Sequence, residues 1–203
     1  MARSRKSRKL NLKILILCEG QTERNYLLEI KNQLPREKQR GIQIDVEHFK
    51  RHDPLNLVNE AIRRKQKARY EGAPYDHVWV AFDHDNLPNR DRAFLKANSN
   101  TVNIAFSSFN IEFWFILHFQ YSARPFTNGD DVKNFIRQNF INDYEPGKTR
   151  LLPILGNRFE EADSNAERLR RNKQVDIDAG IPIWELNPYV TIHELVKFLI
   201  ELK

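Results

Sequence analysis

Two stretches decide the fold: Leu15–Glu23, which reads LILCEGQTE, and Val78–Asn86, which reads VWVAFDHDN. Each is an apolar run of strand length that stops abruptly at carboxylates, Glu19 and Glu23 after the first and Asp83 and Asp85 after the second. If both runs are parallel strands of one sheet, those carboxylates emerge at the same edge. Three or four clustered carboxylates with no neutralising lysine beside them are a reason to expect a hard divalent cation, Mg²⁺ or Mn²⁺.

Working outward, Leu12–Cys18 is apolar except for Lys13, which suits a strand buried on both faces. Gly20 allows a tight turn, and Thr22 is placed to cap a helix running to about Leu34, closed by Pro35. Ile42, Ile44 and Val46 alternate with Gln43, Asp45 and Glu47, the pattern of a half-exposed edge strand. Asp53-Pro54 reads as a cap followed by a first-turn proline. The helix after it buries Leu55, Val58, Ala61 and Ile62 and ends in Arg63, Arg64, Lys65 and Lys67. Those cations suit the helix dipole, with a phosphate-binding patch as the alternative.

A third strand is expected at His77–Phe82, a short helix near Arg92–Ala97 and a fourth strand at Val102–Phe106. Strands alternating with helices through long connections argue for right-handed βαβ units and a parallel sheet. In such sheets the functional edge lies at the carboxyl ends of the strands, where Glu19 and Asp83 stand.

Ser107–Phe119, SSFNIEFWFILHF, reads as a dense apolar helix carrying one acid, Glu112, which needs a partner or a metal there. His118 reads as a core or rim histidine rather than a catalytic one. A second helical region spans Phe126–Phe140, capped by Asn128 or Asp130, and Glu160–Lys173 reads as a highly charged helix. Thr191 and Glu194 have capping-box spacing, with Val190 and Leu195 as a hydrophobic staple. Lys148 or Arg150, in the turn Tyr144–Arg150, is a candidate phosphate contact, with a solvated loop charge as the plain alternative.

At 203 residues, 40% hydrophobic and 30% charged, the chain suits one domain with a sizeable core. Its 33 Lys and Arg against 27 Asp and Glu give a formal charge of +6. A basic surface around an acidic pocket suits a polyanionic phosphate substrate, although many proteins are mildly basic. Cys18 is the single cysteine, which excludes intramolecular disulfides and multi-cysteine zinc sites; it reads as a core thiol. The basic start, Met1–Lys9, is not followed by a long apolar stretch, and Leu12–Cys18 is too short to span a bilayer. A cytoplasmic protein with no membrane contact is expected. The expected organisation is a disordered basic tail over residues 1–10, an α/β core over 11–125 and a helical extension over 126–203.

The pieces Cys18-Glu19-Gly20-x-Thr22-Glu23 and Asp83-x-Asp85, each after a strand, resemble the two signatures of the Toprim fold. The stretches ILILCEGQTERNY, VWVAFDHDN, SSFNIEFWFILHF and NPYVTIHELVKFL together resemble the RloB family, small Toprim-like proteins of bacterial phage defence and abortive infection. That family usually has a proline where this chain reads Ser108-Phe109-Asn110. The resemblance implies a Toprim-like, mostly parallel four-stranded sheet flanked by helices, with a helical C-terminal part. It implies that Glu19, Asp83 and Asp85 are catalytic metal ligands, with Glu19 also serving as base through a water. Glu23 matches a second acid of the OLD-nuclease-like branch, and Glu112 falls in a third acidic motif with a supporting role. It further implies an AAA- or ABC-type ATPase partner.

The chemistry expected is Mg²⁺- or Mn²⁺-dependent hydrolysis of nucleic acid, DNA or RNA, tRNA included. No tyrosine is assigned as a topoisomerase nucleophile. Glu23, in the first turn of a helix, is also explained by the dipole alone. The rival expectation is a non-catalytic binding or effector subunit that keeps the Toprim shell and works by contacting a partner.

Overall fold

The computed structural model of the chain describes residues 12–49, 53–83 and 89–202; the expected basic tail lies outside them. Four parallel strands form one sheet in the order β2-β1-β3-β4: β1 Leu12–Cys18, β2 Ile42–His48, β3 His77–Asp83 and β4 Asn103–Ser107. The architecture is α/β and Toprim-like, as the strand–helix alternation predicts, and β2 is an edge.

Helices cover both faces of the sheet because the strands are apolar on both. Ile14, Ile16 and Cys18 of β1 enter one core with α1 (Gln21–Asn32), while Leu15 and Leu17 enter another. All five are fully buried. The second core is closed by α3 (Pro54–Tyr70) and α4 (Arg90–Ser99). Asp53 caps α3 by accepting from the backbone N–H groups of Leu55 and Asn56, at 2.8 and 3.3 Å. A short α2, Arg36–Gly41, follows Pro35.

The first core also takes α5 (Glu112–Leu117), α6 (Gly129–Asn139), α7 (Leu152–Leu155) and α8 (Phe159–Asn172). After α9 (Gln174–Asp178) and a 3₁₀ turn at Ile183–Glu185, α10 (Ile192–Glu201) returns to the same core. Among the described residues no helix is long and apolar enough to cross a membrane.

Three local expectations are corrected. The run Ser107–Phe119 is not one helix: Ser107 ends β4 and α5 begins only at Glu112. The intervening backbone is held by the C-terminal segment instead. Ser108 donates its N–H to Tyr189 O at 2.9 Å and its hydroxyl to Leu186 O at 2.7 Å. Thr22 does not cap α1, whose N-cap is Gly20. Thr191 forms no capping box, because its hydroxyl donates to Ile104 O (3.1 Å) and accepts from Phe106 N–H (3.0 Å). Side chain–backbone bonding to β4 has replaced the local cap.

His118 is a core residue, 2% exposed, with Nδ1–H donating to Trp114 O at 3.0 Å. Burial, the largest cause, pulls its pKa from the ordinary 6.5 down to about 4. Between those values the unfolded chain binds a proton that the folded chain does not, so this group lowers stability as pH falls from 6.5 toward 4. The full effect is on the order of 3 kcal/mol. In thermal unfolding across that window, His118→Leu is expected to show a shallower decline of melting temperature than the wild type.

Candidate functional site

The carboxyl edge of the sheet carries the acids in the order the topology dictates. Because β1 and β3 are neighbours, Glu19 and Asp83 leave the sheet side by side. Glu19 N–H still donates to Ala81 O at 2.9 Å, extending the ladder one residue past β1. Its Oε2 accepts from Asp83 N–H at 3.4 Å.

Glu23 sits in the first turn of α1, 3% exposed, with its carboxyl laid over Gly20. A Cβ on Gly20 would collide with that carboxyl, coming within 2.9 Å of its Cδ and closer still to Oε2. Gly20 has an ordinary extended backbone (φ −110, ψ 162), so glycine serves there by yielding room. Glu112 opens α5, 2% exposed, and accepts from the Tyr144 hydroxyl at 2.7 Å. Burial first and the Glu112 charge second push the Tyr144 phenol far above its ordinary value, so it remains a donor.

These four carboxyls line one cleft of about 300 Å³, together with Asn110 and Lys133. Burial is the largest influence on Glu23 and raises its pKa, with the charges of Glu112 and Glu19 adding to it. Its own backbone N–H and a hydrogen bond with the Asp83 carboxyl oppose that rise. Cys18, just behind, is fully buried, and burial likewise raises its thiol pKa; it is a core residue.

Asp85 lies outside the described residues. Lys148 is exposed and pairs with Glu145 at 2.7 Å, away from the cleft lining. Among the described residues the cation in the cleft wall is Lys133 of α6, which pairs with the exposed Asp130 at 3.3 Å. Sequence proximity gave no hint of it. A larger cavity of about 600 Å³ between α4, β4 and the 3₁₀ turn has no titratable side chain in its lining, so the chemistry is not sought there.

The family model described as RloB-like protein matches residues 14–199. The chain belongs to the RloB-like family. No curated protein and no solved structure matches it significantly. In this RloB-like chain the acids facing the cleft offer carboxylate oxygens, donors that a hard divalent cation prefers. Burial first, and the charges of Glu112 and Glu19 after it, raise the Glu23 pKa, and a nearby cation would oppose that rise. Both observations fit a cation. Among the described residues, however, no three His, Cys, Asp or Glu already stand at ligand spacing, so the acids must close in to share one ion.

A carboxyl whose folded pKa is raised stabilises the fold below the ordinary 4.5 and loses that stability as pH rises. Glu23→Gln removes the charge while keeping the shape. In metal-free buffer it is expected to melt higher than the wild type at pH 8 and close to it at pH 4. Equal melting temperatures at both pH values would mean that Glu23 bears no such charge.

Proposed function

We propose that this RloB-like protein is a metal-dependent nuclease, hydrolysing phosphodiesters of DNA or RNA with Mg²⁺ or Mn²⁺ bound in the acidic cleft. The observation that carries the reading is the convergence of Glu19, Glu23, Asp83 and Glu112 on one cleft at the carboxyl edge of a parallel sheet. Glu19 and Asp83 would hold the cation, with Glu23 and Glu112 beside them and Asp85 as a further ligand by family resemblance. When bound, the cation supplies charge stabilisation for the phosphoryl oxygens.

The chain's own residues do the remainder. Glu19, oriented by the Asp83 N–H, takes the proton from the attacking water. Lys133 contacts a substrate phosphate, its exposed partner Asp130 being easily exchanged. Tyr144 donates to Glu112 and so fixes where its carboxyl sits in the cleft. The formal charge of +6 favours approach of a polyanion. A role in phage defence beside an ATPase partner comes from the family resemblance alone.

A second reading, a non-catalytic effector subunit, is favoured by Lys133 in the cleft wall. That lysine can offset the acids in place of a cation.

Purified protein with Mn²⁺ is expected to cut at least one of tRNA, single-stranded DNA and duplex DNA. Asp83→Ala should lower the rate by at least about 100-fold, the scale of losing one transition-state charge contact. Cutting that persists unchanged in Asp83→Ala would overturn the assignment. Cutting of none of these substrates, with the ATPase partner present or absent, would favour the effector reading.

A further inference from the structure

The turn between β4 and α5 contributes two polar side chains that the carboxylate account leaves unused. Asn110 is 4% exposed and lines the acidic cleft. Its Nδ2 donates to Gly129 O at 2.9 Å, which fixes the amide, while its Oδ1 is buried without a hydrogen-bond partner among the described residues. Ser107 is 1% exposed and pairs in register with Asp83, and its Oγ is likewise buried and unpartnered among the described residues. Strand alternation turns Asp83 to the face of Ala81 and Ser107 to the face of Ala105, both in the core beneath α1 and α5. The unused oxygens therefore belong to the same face as the acids.

A buried acceptor left unsatisfied costs about 1–3 kcal/mol. Native structures keep few such atoms, and those that persist call for an explanation. In a cleft already crowded with carboxyls, a further carboxylate would add repulsion, whereas an amide oxygen adds a hard donor without charge. Asn side-chain oxygens are ordinary ligands for hard divalent cations.

We propose that Asn110 Oδ1 is a neutral ligand of the divalent cation, completing the set begun by Glu19 and Asp83. This rests on the cation-site reading above and extends it to a residue outside the acidic motifs. The bond to Gly129 makes the start of α6 the support that aims the amide, which places Lys133 one turn further along the same helix beside the cation.

The test is calorimetric titration of the full chain with Mn²⁺ alone, without nucleic acid. Asn110→Ala is expected to weaken Mn²⁺ binding by about 10-fold or more. Asn110→Asp, which keeps an oxygen at that place, is expected to stay within about threefold of the wild type. The melting temperature of each variant in EDTA reports the lost Gly129 bond separately, so a folding defect is not read as lost affinity. If the wild type binds Mn²⁺ and Asn110→Ala binds it within twofold, the ligand role of Asn110 is overturned while the cation site stands. Equal weakening in both variants also overturns that role. A wild type that takes up no Mn²⁺ at millimolar concentration overturns the cation site itself and Asn110 with it.

Discussion

Like charge gathered at one edge of a sheet is the constraint around which this structure is arranged. Two carboxylates about 4 Å apart repel by about 4 kcal/mol at an effective dielectric of about 20. A domain of ordinary stability, about 5–15 kcal/mol, cannot absorb several such pairs. The cleft lowers the cost by several means at once. Glu23 hydrogen-bonds with Asp83, Glu19 accepts from a backbone N–H, and Glu112 accepts from Tyr144. Glu23 also lies against the positive end of α1, over a glycine that leaves it room. A structure that served only to fold would replace these acids with apolar side chains. Glu19, Glu23 and Glu112 are nonetheless kept buried at one edge of the sheet.

The helices on the first face hold that arrangement in place. Tyr26 of α1 accepts from Trp114 Nε1 at 2.9 Å and packs edge-on against Phe115, with ring centroids 5.1 Å apart. This contact joins α1, which carries Glu23, to α5, which carries Glu112. The C-terminal segment acts from the other side: Thr191 and Tyr189 bond the outer edge of β4 and its turn, setting where α5 begins. An edge strand is thereby partly covered, which also removes a row of backbone groups from aggregation. The position of the acids thus depends on residues near both ends of the described chain.

Much of this was legible in residue order. Glu19 and Asp83 stand at one edge because two apolar runs with a helical connection between them form parallel neighbours, and such strands end together. Glu112 was visible as an acid within SSFNIEFWF, since a buried charge demands a partner. The same reasoning applied to Asn110, the amide in that run, would have exposed it as well. Lys133 and Tyr144 were not legible. They reach the cleft through the packing of α6 and of the loop after it, with no local pattern marking them. The capping box at Thr191 and Glu194 misled for a related reason: a hydroxyl able to bond its own helix found stronger use on β4.

The most direct measurement is an anomalous difference map at the manganese absorption edge from crystals soaked in Mn²⁺. A peak in the acidic cleft, within coordination distance of Glu19 and Asp83, is the expected result. A cleft without anomalous density at millimolar Mn²⁺, with the Lys133 ammonium drawn in among the carboxylates, would contradict it.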